Sequence, residues 1–135
     1  MKYLKSKNAI VQSKAETSLA SLIQQRIRWA AKTSAYKNTF GKFVGLLVLI
    51  MNALIVVTLF LSVFGLFNWL YFAGILVLKL LIDYLLLSKS AKLFNQASLL
   101  NSYFFSGLLY PFFSVFIAFK ALFSTYKWKG RSFKK

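Results

Sequence analysis

The sequence predicts an all-α integral membrane protein, in which an interfacial amphipathic helix precedes about three transmembrane helices. Its composition is the first reason. Hydrophobic residues make up 59% of the 135 residues and charged residues only 15%, which leaves too little polar surface for a soluble domain. The second reason is that residues 43–67 and 99–119 contain no charged side chain. A helix crosses the hydrocarbon core with ~20 apolar residues, so both runs are long enough.

The positions of the basic residues are the third reason. The chain carries 18 Lys and Arg residues against two acids, Glu16 and Asp83, for a net charge of +16. Apart from Lys79, the basic residues lie in residues 1–42, in residues 88–98 or from Lys120 onward, where the apolar runs have ended. Such juxtamembrane charges attract anionic lipid headgroups. Because the spans separate the basic stretches, the predicted partner is the bilayer and not nucleic acid.

The absence of Cys and His from the sequence removes several kinds of chemistry. Disulfides, zinc sites, thiol nucleophiles and imidazole bases are excluded within this chain. Residues 1–18 lack the apolar core and cleavage pattern of a signal peptide, so the spans themselves are expected to direct insertion.

The first part of the chain, residues 1–42, is predicted to be cytoplasmic and mostly polar. Residues 9–12 form a short β-favouring run, and Thr17 and Ser18 are candidates for a helix N-cap. Residues 19–36 then show helical periodicity, with an apolar side and a polar side. The apolar side has Leu19, Ile23, Ile27, Ala30 and Ala31, and the polar side has Gln25, Arg28, Trp29 and Lys32. This pattern is typical of a helix lying at a membrane surface.

The membrane part, residues 43–123, is predicted to contain spans at about 43–64, 70–87 and 99–123. A tight uncharged turn at 65–69 joins the first two spans into a hairpin, and a polar connector at 88–98 is expected on the membrane surface. Pro111 lies near the middle of the third span, where a proline usually kinks the helix. Residues 124–135 form a basic tail with Trp128 as an interface anchor.

The predicted location is the plasma membrane, as a multi-pass protein, and the charge pattern predicts a cytoplasmic N-terminal segment. Basic loops stay in the cytoplasm, so residues 1–42 and 88–98 are expected inside and the neutral turn outside. The same rule puts the tail inside, whereas three complete crossings would put it outside. Two alternatives follow: the tail breaks the rule, or the segment around Pro111 re-enters the membrane without crossing.

Three residues of the polar helix side, Gln25, Arg28 and Trp29, form a QxxRW pattern. Gln and Arg on one face offer donors that can fork onto phosphate oxygens, and Trp offers a flat surface on which a sugar can stack. The competing interpretation is a basic interfacial helix, with Arg on lipid phosphates and Trp in the headgroup region. Residue types alone favour this second interpretation.

The context of the pattern resembles the membrane-bound family 2 glycosyltransferases of the cellulose-, chitin- and hyaluronan-synthase-like group. The stretch AIVQSKAETSLASLIQQRIRWAAK, residues 9–32, is similar to the segment that closes the catalytic domain of that family. The stretch YKWKGR, residues 126–131, resembles the W-K-G-R tail of many bacterial members. The resemblance implies that Gln25 and Arg28 contact the pyrophosphate of a nucleotide sugar and that Trp29 lies under the acceptor sugar.

The sequence also departs from this family. Its members hold a divalent metal with a DxD motif and use a carboxylate base on the acceptor hydroxyl. With two acids, this chain has no DxD, and Glu16 lies too close to the QxxRW pattern to match the family's base. No catalytic or metal-binding residue is therefore assigned here. The nucleotide sugar, the metal and a GT-A catalytic domain, upstream or on a separate chain, are implied only for the complete enzyme.

The function expected from the resemblance is the C-terminal membrane and acceptor-site part of such an enzyme, inactive alone, with a lipid or polysaccharide acceptor. Two alternatives remain open: a small non-enzymatic scaffold or regulatory subunit, and a holin-like pore former. Lys79 and Asp83, four residues apart in the second span, have two interpretations as well. They form a self-neutralising pair on one helix face, which is favoured, or line a path for the acceptor.

Overall fold

The computed structural model describes residues 15–33 and 38–123, together with the backbone of residues 126–128 and 131–133. The β-favouring run at 9–12 lies outside the described residues. The described part confirms the all-α membrane class. Its helices are α1 (Leu19–Thr33), α2 (Thr39–Val63), α3 (Trp69–Leu93), a 3-10 helix (Ala97–Ser102) and α4 (Tyr103–Phe123). Three helical segments, Thr39–Val63, Trp69–Leu93 and Ala97–Phe123, are long and apolar enough to cross a membrane.

Short polar side chains start the first three helices by accepting hydrogen bonds from free backbone N–H groups. Ser18 Oγ accepts from the N–H of Ser21 at 3.1 Å, which confirms the N-cap predicted for α1. Asn38 caps α2 by accepting from the N–H of Phe40 at 3.0 Å. Asn68 caps α3 by accepting from the N–H of Leu70 at 2.8 Å. Neither Asn cap was predicted from the sequence, although Asn before an apolar run is the usual signal.

Turns with positive φ angles separate α2 from α3 and α3 from the 3-10 helix. The first turn contains Gly65 at φ 73°, a conformation that suits a residue without a Cβ. The second contains Asn95 at φ 54°. Helix α3 continues through Leu93, so the first half of the predicted connector at 88–98 is helical. The connector is therefore shorter than the sequence indicated.

The C-terminal tail contains a two-stranded antiparallel hairpin that the sequence analysis did not predict. Strand β1 (Tyr126–Trp128) pairs with β2 (Arg131–Phe133), with Trp128 opposite Arg131. Two residues, Lys129 and Gly130, connect the strands in the sequence. A two-residue connection that contains Gly is a hairpin signal, so the pattern was present in the tail.

Helix α4 lies at the centre of the packing, since it contacts α1, α2 and α3. Pro111 is fully buried within α4, and the helix is continuous from Tyr103 to Phe123. The described side chains include few buried apolar ones, and the large apolar side chains of the long helices are mostly exposed. Such a surface is expected where lipid tails surround the helices.

Candidate functional site

The orientation of α1 is set by its apolar side, which packs against the second half of α4. Ile27 is 2% exposed and forms a buried cluster with Ile117 and Ala121 of α4. Ile23 and Ala30 of α1 and Phe113 of α4 pack around this cluster. The predicted apolar face of α1 is therefore present, but it packs against α4, whereas the sequence predicted that it would contact the membrane surface.

The QxxRW residues lie on the side of α1 that faces away from α4. At 100° per residue, Gln25 and Trp29 project ~160° from Ile27 in opposite senses, which leaves them ~40° apart. Arg28 projects ~100° from Ile27, at the margin of this polar side. The structure thus places Gln25, Arg28 and Trp29 on one sector of the helix, as the sequence predicted.

Gln25 is held by the one acid that precedes the helix. Its Nε2 donates a hydrogen bond to Oε1 of Glu16 at 3.0 Å, across nine residues of sequence. This contact ties the segment before the helix to the polar side of α1. The bond uses the amide nitrogen of Gln25 and not its carbonyl oxygen.

Trp29 is partly covered by a neighbour that the sequence analysis did not single out. The guanidinium carbon of Arg26 lies 4.9 Å from the centroid of the Trp29 ring, within the range of a cation–π contact. The i, i+3 spacing of these residues was the available signal. Trp29 nevertheless keeps 48% of its surface exposed, so the indole remains accessible on the surface of α1.

The described parts of the two stretches that carry the family resemblance are neighbours in space. Strand β1 lies beside α1, although Trp29 and Trp128 are 99 residues apart in the sequence. The QxxRW helix and the first strand of the W-K-G-R tail therefore belong to one surface of the described structure.

A second polar site lies inside the apolar helices, around Lys79. Lys79 is 5% exposed, and its Nζ lies 2.9 Å from Oδ2 of Asp83, an ion pair without the alignment of a hydrogen bond. The same ammonium lies 5.8 Å from the centroid of the Tyr110 ring on α4. The Tyr103 hydroxyl donates to the carbonyl oxygen of Leu80 at 2.7 Å. No role was predicted for the two tyrosines from the sequence, since only the packing of α4 on α3 reveals these contacts.

The contacts around Lys79 fit the structural interpretation of the pair better than a ligand site. The lysine charge is balanced within its own helix, and Tyr110 and the Tyr103–Leu80 bond join α3 to α4. Asn52, which is 2% exposed on α2, donates to the carbonyl oxygen of Val48 at 2.8 Å. That bond lies within α2 and uses only the amide nitrogen, whereas the Asn52 amide oxygen is buried without a hydrogen-bond partner among the described residues.

The acids of the chain do not fit a divalent metal site. Glu16 precedes α1 and accepts from Gln25, whereas Asp83 belongs to α3 and pairs with Lys79. Among residues 15–33 and 38–123, no three His, Cys, Asp or Glu side chains are grouped as metal ligands. What the α1 surface can do is bind: it offers Gln and Arg donors beside an accessible indole.

Comparisons with known proteins add no relative. No family model, no curated protein and no solved structure matches the chain.

Proposed function

We propose that the chain is the C-terminal membrane and acceptor-site part of a family 2 glycosyltransferase. In its complete form, the enzyme transfers sugar from a nucleotide-sugar donor to a lipid or polysaccharide acceptor at the plasma membrane, with α1 on the cytoplasmic side. A GT-A domain, upstream or on a separate chain, supplies the carboxylates for the metal and for the base. This chain alone is inactive, because neither Glu16 nor Asp83 is placed for those roles.

The observation that carries the proposal is the orientation of α1. An ordinary interfacial helix keeps its apolar side on the acyl chains. Here Ile27 and its neighbours pack on α4, so lipid contact does not explain the amphipathic pattern. The sector with Gln25, Arg28 and Trp29 is left facing away from the bundle, and a catalytic domain placed against that sector would meet the donors and the indole together.

Each residue of this sector has a role that its chemistry permits. Arg28 presents a planar guanidinium that can bind a pyrophosphate through two parallel hydrogen bonds. Gln25 adds an amide beside it, positioned by Glu16. Trp29 offers an indole surface against which the apolar face of an acceptor sugar can stack.

The test is a complementation assay in membranes. This chain is co-expressed with a family 2 catalytic domain that lacks its own C-terminal part, and transfer of labelled sugar is measured. We expect transfer to exceed that of the catalytic domain alone and to be lost with Trp29→Ala or Arg28→Ala. Gln24→Ala is the matched control, because Gln24 is an exposed residue of the same helix outside the pattern.

One other outcome would refute the proposal, and another would favour a different function. Transfer that never exceeds the catalytic domain alone, with chains of verified membrane insertion, leaves the scaffold or regulatory alternative. Leakage of vesicles that contain only this chain would instead support the holin-like alternative. Arg28→Lys refines a positive result, since Lys keeps the charge but loses the two-pronged geometry and is expected to give intermediate activity.

A further inference from the structure

The C-terminal half of α4 is in contact with α1, and this contact constrains how the chain lies in the membrane. Ile117 and Ala121 of α4 are buried against Ile27, so the C-terminal end of α4 is at the same depth relative to the bilayer as α1. Strand β1, which follows α4, is also beside α1. The position of α1 relative to the bilayer therefore determines the position of the C-terminal tail.

Helix α1 lies on the membrane face at which α2 begins. Thr33 and Asn38, the cap of α2, are five residue steps apart in the sequence, so they lie at most ~18 Å from each other. Helix α1 itself is ~22 Å long by its 15 residues, shorter than the hydrocarbon core. It also carries Arg26, Arg28 and Lys32, and each cation at mid-bilayer costs about 3 kcal/mol on insertion scales. Burying α1 along the bundle is therefore disfavoured.

Helix α3 ends on the same membrane face. Residues 64–68 connect α2 to α3 directly and carry no charge, so the two helices form a hairpin across the bilayer. The C-terminal end of α3 returns to the side where α2 began. Lys89 and Lys92 lie near that end, in keeping with the basic residues before α2.

The segment after α3 enters the bilayer from this face. The 3-10 helix Ala97–Ser102 contacts α3 and rises by ~12 Å over its six residues. At its end the Tyr103 hydroxyl bonds to the carbonyl of Leu80. Leu80 lies nine residues before Lys89, a basic residue near that face, which is a depth of ~14 Å along α3. Helix α4 therefore begins within the membrane, and its 21 residues lead back to α1.

We propose that residues 97–123 form a re-entrant segment, which enters and leaves the membrane on the face that carries α1. The C-terminal tail then shares a compartment with α1, and only α2 and α3 cross the bilayer completely. A crossing α4 would place its last turns on the opposite face, and the contact of Ile27 with Ile117 and Ala121 would not exist.

The charge distribution supports this topology independently of the packing. A re-entrant segment puts the basic residues of the tail on the same side as those of residues 1–42 and of the end of α3. The positive-inside rule is then obeyed by every basic stretch. The proposal concerns topology alone, so it stands or falls separately from the proposed sugar-transfer function.

The absence of Cys from the chain allows a direct test. Single cysteines are introduced as Ala15→Cys before α1, Leu66→Cys in the turn between α2 and α3, and Ser132→Cys in the tail. Sealed vesicles of each orientation are treated with a membrane-impermeant maleimide. We expect Ser132→Cys to be labelled in the same orientation as Ala15→Cys and to lose labelling where Leu66→Cys is labelled. Labelling of Ser132→Cys together with Leu66→Cys would overturn the proposal.

A cross-link provides a second readout that does not depend on vesicle orientation. The double variant Ile27→Cys with Ala121→Cys is oxidised in membranes and is expected to form an intramolecular disulfide. The matched control pairs Ile27→Cys with Leu109→Cys, an exposed position in the first half of α4, and is expected to stay reduced. If the three single cysteines are labelled alike, the test depends on the disulfide between Ile27→Cys and Ala121→Cys. Its absence under conditions that oxidise a free cysteine pair would refute the re-entrant arrangement.

Discussion

Replacing Ile27 by Ala should release α1 from α4. The side chain is 2% exposed in the cluster with Ile117 and Ala121, so truncation removes buried contacts on both helices. Loss of three methylene equivalents at ~0.8 kcal/mol each gives ~2.4 kcal/mol, and the remaining cavity brings the cost to about 3 kcal/mol. At 1.4 kcal/mol per factor of ten, the docking equilibrium of α1 should fall about a hundredfold.

The assay is limited tryptic cleavage of the chain in lipid nanodiscs. Cleavage after Arg26 or Arg28 requires α1 to leave α4 and unwind, and its rate follows the open population when closing is faster than cleavage. Cleavage after Lys92, near the end of α3, serves as an internal standard. We expect the Ile27→Ala rate at α1 to rise by up to about a hundredfold, with the rate at Lys92 unchanged.

The control variant is Leu19→Ala, because Leu19 belongs to the same helix but is 75% exposed. Equal cleavage rates for Ile27→Ala and Leu19→Ala would contradict the packing of α1 on α4. The combination of Ile27→Ala with Ile117→Ala provides a further check. Residues in contact show coupling of ~0.5 kcal/mol or more, so strictly additive effects would show that the two side chains do not meet.

Three further substitutions test other contacts, the first two by thermal unfolding in nanodiscs and the third by tryptic cleavage. Lys79→Met should destabilise the fold by about 2 kcal/mol, because Asp83 keeps a partly buried charge without a partner. Adding Asp83→Leu to this variant should restore stability, and failure of that rescue would contradict the pairing. Gly107→Ala places a Cβ 2.8 Å from Cδ2 of Leu80, so we expect the fold to lose about 1 kcal/mol of stability, which Leu80→Ala should relieve. Full stability of Gly107→Ala would show that the helices have room to separate. Ser18→Ala removes the cap of α1 and should raise tryptic cleavage of that helix by about fivefold, equivalent to about 1 kcal/mol; an unchanged rate would argue against the cap.

Helix positions were predictable because hydropathy and periodicity are local properties of the chain. The apolar runs located α2 and α3 to within a few residues at most ends. Of the residues predicted on the apolar side of α1, Ile23, Ile27 and Ala30 pack against α4, whereas Leu19 is exposed. The end of α3 was less accurate, because Ser88 and Ser90 donate back to the carbonyls of Leu85 and Leu86. Those bonds satisfy the hydroxyls within the helix, so a polar composition did not end it.

The candidate site was predictable in part. The spacing of Gln25, Arg28 and Trp29 was enough to place them on one sector of α1, and that sector is observed. The contacts that complete the sector were not predicted. Glu16 reaches Gln25 across nine residues, and Arg26 stacks on Trp29, because each depends on the direction of a long, flexible side chain.

The sequence by itself determined which segments are apolar enough to be helices in a membrane and which face of α1 is apolar. These properties follow from the transfer free energy of each residue and from the 3.6-residue helical period. Only the tertiary structure decided what covers the apolar face. Ile27 meets Ile117 and Ala121, and β1 returns to α1, because helix contacts in a membrane depend on the shapes that two surfaces present to each other. Hydropathy is calculated along one segment at a time, so it carries no information about how well the surfaces of two helices fit together.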